Sequence, residues 1–588
     1  MILTGDSRST SRMLIRPHRN VRHLSILWLP SVMIPKMHIV RALALIAPVS
    51  TSVPLPAQAV NRVGRCAGGA VSSALPGGYA EEMERARSIR QSTDWSMLRS
   101  ATDGAKPRML ADSAAAPFRV AVVIPEMFVT SQQSFPMPAN DGALWAGKGL
   151  SYSVTGGVAF CGRNARWGAV IAPTYWFAAN APFDQPDNPQ IVSPIRQDHS
   201  PWASPYHYMP RSLDMPRRFG DHTLRRFDPG TIALWYRAPR IEVGFSTESE
   251  WWGPGQYNAL LLSSQAAGAP RVYVRTSKPI RAKGEIDVRY FLGALNISPF
   301  YFAVPEDSGR TVSGLSAVWR PDAQPGLSIG AARIVIAPIL GNGYIKHVLD
   351  PLVHVGAPNA LPYNDKTQYP GRDQLFSVFA NWRLPDDGAE LWVEWARAEL
   401  PININQFFES PNHTQAFTAG LQHIRPVTRT WSARVIAEFS QTNQSSSYRE
   451  RPVGSWYTSR AVQGGFTQKG QVLGAVIGPG SLTQRVGLDF IGPRHSLGVF
   501  AWRVRWDDDS FFTIPRPNGN GLCKHDVSLA WGLRGAARIP VGWIEGTVTA
   551  QNRLNLYWQA LGLCFQNEEL QIDKRNLSIE FRFRPALR

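Results

Sequence analysis

Runs of residues that alternate between apolar and polar side chains begin near Phe118 and continue almost to the end of the chain. The last run is the clearest: it sets Leu577, Ile579, Phe581 and Phe583 against Ser578, Glu580, Arg582 and Arg584. A period of two is typical of β-strands, in which successive side chains point to opposite faces. We count roughly 18 or 19 such runs between residues 118 and 584, which predicts an all-β chain.

The run Glu390–Trp395 follows the same rule, with Leu391, Val393 and Trp395 on one face and Glu390, Trp392 and Glu394 on the other. Many alternating strands fit a soluble sandwich or propeller, or an outer-membrane barrel. The sequence has no evident fixed-period repeat, which disfavours a propeller. Aromatic residues lie near predicted strand ends, as in the girdles of membrane barrels. We therefore predict a transmembrane antiparallel β-barrel of about 18 strands, preceded by a small N-terminal periplasmic helical region.

The first 116 residues differ from the rest. From Met37, a polar start, the apolar core 42–47 and the small-x-small site Ala57–Ala59 predict an export signal peptide over residues 37–59. We interpret residues 1–36 as a mis-assigned N-terminal extension. Residues 60–116 are expected to form a periplasmic linker with a short helical region at 80–100, where good helix formers are frequent. Residues 117–588 are expected to form the barrel, in the outer membrane of a diderm (Gram-negative-type) bacterium.

Three predicted connections are long, at residues 180–228, 341–372 and 441–480. Outer-membrane barrels place short turns in the periplasm and long loops outside. We therefore expect these connections to be extracellular loops or lumen plugs.

The formal charge of the chain is +18, from 62 Lys and Arg against 44 Asp and Glu. This balance permits nucleic acid, acidic polysaccharide or anionic lipid as a partner. Because no nucleic-acid-binding module accompanies the charge, we predict no nucleic-acid partner. The four cysteines lack a Cys-x-x-Cys pair, so we predict neither a zinc site nor another metal or cofactor. Cys523 and Cys564 lie in the last group of strands and either pair or stay unpaired.

Two patterns resemble catalytic or nucleotide sites without completing them. Residues 142–148 match the first seven places of a phosphate-binding loop, but Gly149 stands where Ser or Thr would hold magnesium. Glu248 and Glu250 lie two apart on one strand, whereas a glycosidase needs carboxylates opposed across its substrate. We predict no catalysis, and an exported carbohydrate-active enzyme remains the third alternative.

The stretch Glu248–Ser264 organises the chain. It begins Glu-Ser-Glu-Trp-Trp-Gly-Pro-Gly and ends Leu-Leu-Leu-Ser-Ser. Proline fixes φ and donates no hydrogen bond, and glycine reaches backbone angles that other residues avoid, so Gly253–Gly255 is expected to end the preceding strand. Trp251 and Trp252 are adjacent and should therefore point to opposite faces.

Three motifs, in this order, resemble those of the Wzi family of bacterial capsule-assembly proteins. They are carried by Asn140, Asp141 and Gly142; by Glu248, Gly253, Pro254 and Gly255; and by Gly470, Gln471, Gly474, Gly478, Pro479 and Gly480. The resemblance covers residues 140–480. It implies an outer-membrane barrel for assembly or surface attachment of capsular or other exported polysaccharide, lectin-like and non-catalytic. The partners expected with it are acidic polysaccharide, outer-membrane lipid, lipopolysaccharide and the outer-membrane insertion machinery, and we predict a monomer.

Sugars are bound by aromatic faces together with amide and hydroxyl groups, and acidic sugars also by arginine. We predict a polysaccharide contact surface made of the motif residues Trp251, Trp252, Gln256, Tyr257 and Asn258 and the preceding loop residues Arg217, Arg218, Arg225 and Arg226. The alternative for these residues is structural: an aromatic girdle, and charges that face water or lipopolysaccharide phosphates. The alternative for the whole chain is a general diffusion porin.

Overall fold

The computed structural model describes residues 76–91, 95–102, 118–139, 147–162, 166–184, 212–301, 309–339, 347–353, 371–401, 403–449, 453–513, 524–558 and 573–586. The helices are α1 (Tyr79–Ser88), α2 (Ile404–Glu409) and α3 (Asp508–Thr513), with 3-10 turns at Asp350–Leu352, Ser446–Arg449 and Leu556–Trp558. The strands are β1 (Leu98–Ser100), β2 (Phe118–Gln132), β3 (Gly149–Gly162), β4 (Trp167–Ala178), β5 (Leu224–Arg237), β6 (Ile241–Ser246), β7 (Glu250–Trp252), β8 (Arg271–Thr276), β9 (Ile280–Arg281), β10 (Gly284–Leu295), β11 (Arg310–Pro321), β12 (Leu327–Pro338), β13 (Asp373–Leu384), β14 (Ala389–Arg397), β15 (Gln415–Pro426), β16 (Ser432–Gln441), β17 (Thr467–Gln468), β18 (Gln471–Val472), β19 (Leu482–Ile491), β20 (His495–Arg505), β21 (Val527–Ile539), β22 (Gly542–Leu554) and β23 (Lys574–Pro585).

These strands close into an antiparallel barrel of 18 strands, as predicted. β8 and β9 both pair with β10 and together count as one interrupted strand. The barrel closes where β23 pairs with β2, with Phe583 opposite Met127. The separate pairs β1–β7 and β17–β18 lie outside the barrel sheet.

The two faces of the wall follow the predicted alternation. On β14, Leu391 and Val393 are exposed on the outside, whereas Glu390, Trp392 and Glu394 are buried in the lumen. On β23, Leu577, Ile579 and Phe581 are exposed and Ser578 is buried. An apolar outer face and a polar inner face are what a barrel in lipid requires, because side chains alternate between the two environments.

The connections alternate in length around the barrel. Short turns such as 238–240, 385–388 and 492–494 join strands at one end, and long connections such as 179–223, 339–372 and 442–481 join them at the other. Barrels of this class place their short turns in the periplasm. β2 begins and β23 ends at the short-turn end, so both enter the barrel from the periplasmic side.

Residues 347–353, the described part of one long connection, lie against the outside of the wall. Arg333 on β12 shares its face with exposed Ile329 and donates hydrogen bonds to the carbonyl oxygens of Pro351 (2.9 Å) and Val353 (2.8 Å). Residues 347–353 therefore cover an outward-facing arginine. The sequence predicted an extracellular loop or a lumen plug for this connection, and the described residues do not lie in the lumen.

The N-terminal helix is shorter than expected, because α1 ends at Ser88 and residues 98–100 form β1 instead. No helix in the described ranges is long and apolar enough to cross a membrane.

Several predictions fall outside the described residues. They are the N-terminal extension and signal peptide, the motif residues Asn140, Asp141 and Gly142, and the pairing of Cys523 with Cys564. Cys161 on β3 is disulfide-bonded.

Candidate functional site

Three segments of the chain lie inside the barrel, and we call them together the lumen plug. They are the N-terminal segment (76–91 and 95–102), the motif segment (247–270) and the glycine-rich segment (453–480). Trp252 and Leu260 of the motif segment, and Tyr457 and Phe466 of the glycine-rich segment, are buried in one apolar cluster with inward-facing wall residues such as Phe291. The aromatic-rich sequence of these connections thus forms a second core within the lumen.

The motif segment turns where its sequence predicts. β7 ends at Trp252, and Gly253 follows with φ +114°, a conformation that favours glycine. The two tryptophans have different neighbours. Trp251 donates to the carbonyl of Gly255 (3.1 Å), whereas Trp252 packs edge-on against Phe291 of the wall, with ring centroids 5.3 Å apart. The Gly-Pro-Gly turn therefore directs the chain back across the lumen.

One wall carboxylate receives the backbone that follows this turn. Glu438 on β16 accepts hydrogen bonds from the backbone N–H groups of Gln256 (2.5 Å), Tyr257 (3.0 Å) and Asn258 (2.9 Å). The indole N–H of Trp392 donates to the same carboxylate (3.2 Å). Hydrogen bonds to an ionised acceptor are stronger than neutral ones, so Glu438 fixes the conformation of the motif segment.

Arg85 of α1 connects the N-terminal segment to both the motif segment and the wall. Its guanidinium contacts the carboxylate of Glu390 on β14 (3.0 Å) and donates to the carbonyl of Pro254 (2.8 Å) and the side-chain oxygen of Gln256 (3.2 Å). It also lies over the ring of Trp392, 4.8 Å from the centroid. All of these groups are buried, so α1 depends on this arginine for its position.

A second buried network lies beside the first. Glu82 of α1 pairs with Arg434 on β16 (2.7 Å) and Arg534 on β21 (2.9 Å), and it accepts from the hydroxyl of Tyr257 (2.6 Å). Burial alone would raise the pKa of Glu82, but Arg534, Arg434 and Arg485 together lower that pKa to about 2. Glu82 is therefore ionised at neutral pH. The network attaches the helix to one region of the wall, because Arg434 and Arg534 both also contact Asp489 on β19 (2.9 and 2.8 Å).

The glycine-rich segment packs directly on the motif segment. The hydroxyl of Tyr457 donates to the carbonyl of Leu260 (2.8 Å) and accepts from the backbone N–H of Ala475 (2.5 Å). The backbone N–H of Ser263 donates to the carbonyl of Leu473 (2.7 Å). A Cβ on Gly474 would lie 2.3 Å from the carbonyl oxygen of Leu260. The structure thus brings two of the three sequence motifs into contact.

The five motif residues predicted to bind polysaccharide are all buried in the plug, namely Trp251, Trp252, Gln256, Tyr257 and Asn258. The side chains of Trp251, Gln256 and Tyr257 form hydrogen bonds within the chain, and Asn258 does so through its backbone N–H. A direct contact between these residues and a sugar stays a prediction, and in the conformation seen here they support the plug.

The four arginines predicted with them do not share one surface. Arg217 is buried over the ring of Tyr557 (5.6 Å), and Arg218 is buried with its guanidinium donating to the carbonyl of Asn180 (2.8 Å). Arg226 faces the lumen, where its Nε donates to Asp228 (2.6 Å). Arg225 alone of the four is exposed, at the long-connection end of β5.

The two motif carboxylates are also engaged within the chain. Glu248 is buried and accepts from the hydroxyl of Thr102 (2.5 Å). Glu250 pairs with Arg271 (3.0 Å) and Arg289 (3.2 Å). Within the described ranges, no group of three or more His, Cys, Asp or Glu side chains is arranged to hold a metal ion.

Two small polar cavities remain between the plug and the wall. One, of about 160 Å³, is lined among others by Glu82, Arg485 and Arg534. The other, of about 170 Å³, is lined among others by Thr174 and Lys469. Arg582 lines both, held by Glu126 (2.8 Å) and stacked on Phe128 (4.1 Å from the ring centroid).

Sequence reasoning missed the wall residues that hold the plug: Glu390, Arg434, Glu438, Asp489 and Arg534. The available signal was a charged residue at an inward-facing place of an alternating strand, as in Arg434-Val435-Ile436-Ala437-Glu438. The pattern places such charges in the lumen, but it does not say which segment meets them.

No family model and no curated protein matches the chain. Among solved structures, the chain is similar to Escherichia coli Wzi, described as an outer membrane protein involved in group 1 capsule assembly and a carbohydrate-binding β-barrel. The identity is 11%, over 79% of this chain and 85% of that one, with a TM-score of 0.48.

It is also similar to a BenF-like porin from Pseudomonas fluorescens Pf-5, with 9% identity over 79% of this chain and 98% of that one and a TM-score of 0.35. Acinetobacter baumannii OccAB1 is a third, with 8% identity over 81% and 98% and a TM-score of 0.37. These likenesses concern the fold, and they do not separate a carbohydrate-binding protein from a porin.

Proposed function

We propose that this chain is a plugged, non-catalytic outer-membrane barrel that holds an exported acidic polysaccharide at the cell surface. The observation that carries the proposal is the filled lumen. Buried ion pairs join the N-terminal segment to the wall, the carboxylate of Glu438 holds the motif segment, and the glycine-rich segment packs on the motif segment. A general diffusion porin needs an open, water-filled lumen. A buried plug held to the wall by ion pairs and hydrogen bonds is better suited to a fixed scaffold that presents the long connections outside.

The charge of the chain supports an acidic partner. Residues 1–59 hold seven Lys or Arg and one Asp, so residues 60–588 carry a formal charge of +18 − 6 = +12. This charge attracts polyanions and raises their local concentration. Because the five motif side chains are buried, we place the polysaccharide contact at the long-connection end of the barrel, with the exposed Arg225 as its first candidate. The motif residues then act by holding the plug beneath that surface.

The test is binding of purified, folded barrel to the exported polysaccharide of cells that carry this chain. Folding is checked by the mobility shift on boiling. Arg225→Glu is expected to weaken binding several-fold, since it reverses one charge at the long-connection end. The matched control is Arg494→Glu, an exposed arginine in the short turn 492–494 at the opposite end.

Two outcomes count against the proposal. In the first, the wild-type barrel binds no exported polysaccharide, and cells from which its gene is deleted still carry that polysaccharide on their surface. The other is equal loss of binding in both variants, which would mean that only net charge matters.

A porin is the second candidate, favoured by the two cavities that Arg582 lines. Together they are the candidate for a polar route beside the plug. If this route conducts, Arg582→Ala should raise single-channel conductance, because it removes the side chain at the junction. If the conductance of Arg582→Ala equals that of the wild type, the cavities do not support a porin.

A further inference from the structure

A groove lies on the outer wall, across strands β19 to β23 near the long-connection end, with a volume of about 810 Å³. Pairing registers place two rows of outward-facing residues across it. The row nearer the long connections is Gln484, Arg503, Leu529, Asn552 and Arg575. The next row is Val486, Ala501, Trp531, Ala550 and Leu577.

The apolar row has the shape of a trough. Ala501 and Ala550 flank Trp531 on either side, and Trp531 is 65% exposed. Two small residues beside one projecting indole leave depressions that neighbouring side chains do not fill. The row below is entirely aliphatic, formed by Leu488, Val499, Leu533, Val548 and Ile579. The depressions therefore continue the lipid-facing band of the barrel.

The polar row carries positive charge at the edge of this band. Arg503 donates to the side-chain oxygen of Gln484 (3.0 Å), and Arg575 is exposed. In the part of the chain that the structure describes, neither guanidinium pairs with a carboxylate. Arginines facing a membrane are costly in the hydrocarbon and favourable where they meet an anion at the interface.

We propose that this groove binds a phosphorylated lipid with several acyl chains, the lipid anchor of lipopolysaccharide in the outer leaflet. Arg503 and Arg575 contact its phosphates, since guanidinium groups recognise phosphate through paired hydrogen bonds. The amides of Gln484 and Asn552 supply further donors, and acyl chains occupy the depressions at Ala501 and Ala550. This site is separate from the polysaccharide role and does not depend on it.

The experiment titrates purified, folded barrel in mild detergent with a bisphosphorylated, multiply acylated glucosamine disaccharide, and native mass spectrometry counts the bound lipid. The double variant Arg503→Gln/Arg575→Gln is expected to bind the lipid at least about tenfold more weakly, because each hydrogen-bonded charge contributes to affinity. Arg494→Gln, in the short turn at the other end, is the matched control and should bind as the wild type does. Ala550→Phe fills one depression without changing charge, and it should also weaken binding.

The same lipid without its phosphates should bind the wild type as weakly as the intact lipid binds the double variant. Inorganic phosphate alone, at millimolar concentration, should not compete. The proposal is overturned if the dephosphorylated lipid binds equally well, if inorganic phosphate displaces the lipid, or if Arg494→Gln loses as much affinity as the double variant. Because every variant must show the wild-type mobility shift on boiling, misfolding is excluded as a cause.

Discussion

The carboxylate of Glu438 offers the sharpest test of how the plug is held. Glu438→Gln keeps the size of the side chain and replaces one oxygen with an NH₂ group. In the wild type, one carboxylate oxygen accepts from the backbone of Gln256 and from the indole of Trp392, and the other accepts from Tyr257 and Asn258. Glutamine offers one oxygen and one NH₂ group in place of the two oxygens. Whichever way its amide is turned, the NH₂ group faces two N–H donors, and those two hydrogen bonds are lost.

The expected cost follows from these contacts. A hydrogen bond to a charged group contributes about 1.5–3 kcal/mol net, so losing two costs about 3–6 kcal/mol. The groups are buried, and water cannot replace the missing partner without opening the segment. A free-energy change of about 1.4 kcal/mol changes an equilibrium constant tenfold. A loss of even about 3 kcal/mol therefore shifts the local opening equilibrium roughly a hundredfold toward the open state. The barrel sheet itself should be unaffected.

The assay is amide hydrogen exchange of residues 255–261 in purified, folded barrel. Exchange of these amides should quicken by about two orders of magnitude in Glu438→Gln if exchange proceeds by local opening. The control is Glu285→Gln, which removes an ion pair with Arg320 near the short turns (3.0 Å). Unchanged exchange at 255–261, or an equal change in both variants, would refute the role assigned to Glu438.

Three further predictions concern the rest of the plug and its surroundings. Arg85→Ala removes the nearer of two cations from the buried carboxylate of Glu390 and leaves Arg383 at 3.8 Å. The loss should cost up to about 3–5 kcal/mol, so limited proteolysis should cut the N-terminal segment faster while strands stay intact. Burial raises the pKa of Asp214 to about 6, although the hydrogen bonds from Ser298 favour its ionised form. The segment that buries Asp214 should therefore be most stable against local opening below about pH 4 and less stable as pH rises through 6, and Asp214→Asn should lose this dependence. Hydrogen exchange at 296–299 in the wild type and in that variant measures the effect. Gly474→Ala forces a Cβ against the carbonyl of Leu260. It should lower the melting temperature of the plug by several degrees, as measured by tryptophan fluorescence.

Much of the barrel was predictable because strand alternation is local. The faces of residues 390–394 and 577–581 follow from the period of two, and each is set by whether a side chain meets lipid or the lumen. The strand number and the long connections follow from the same pattern. Where the lipid-facing side of a strand must be apolar and the lumen-facing side polar, the alternation in the sequence determines which residues face each side.

The plug was not predictable in the same way, because its contacts join residues far apart in the chain. Arg85 meets Glu390, 305 positions away, and Tyr257 meets Glu438, 181 positions away. The sequence around a lumen-facing carboxylate does not show whether that carboxylate contacts water or accepts hydrogen bonds from a distant segment of the chain. The two tryptophans illustrate the consequence. As neighbours at a bend they suggested a sugar-binding surface, but the structure buries Trp251 under Arg99 of β1 and Trp252 against Phe291 of the wall.

The measurement that tests the central claim most directly is single-channel conductance of the purified wild-type barrel in a planar bilayer. A lumen closed by the plug predicts no large steady current, and it predicts that Glu438→Gln and Arg85→Ala each introduce intermittent openings. A large, steady and weakly selective current through the wild type would contradict the account, because it would show a general diffusion pore.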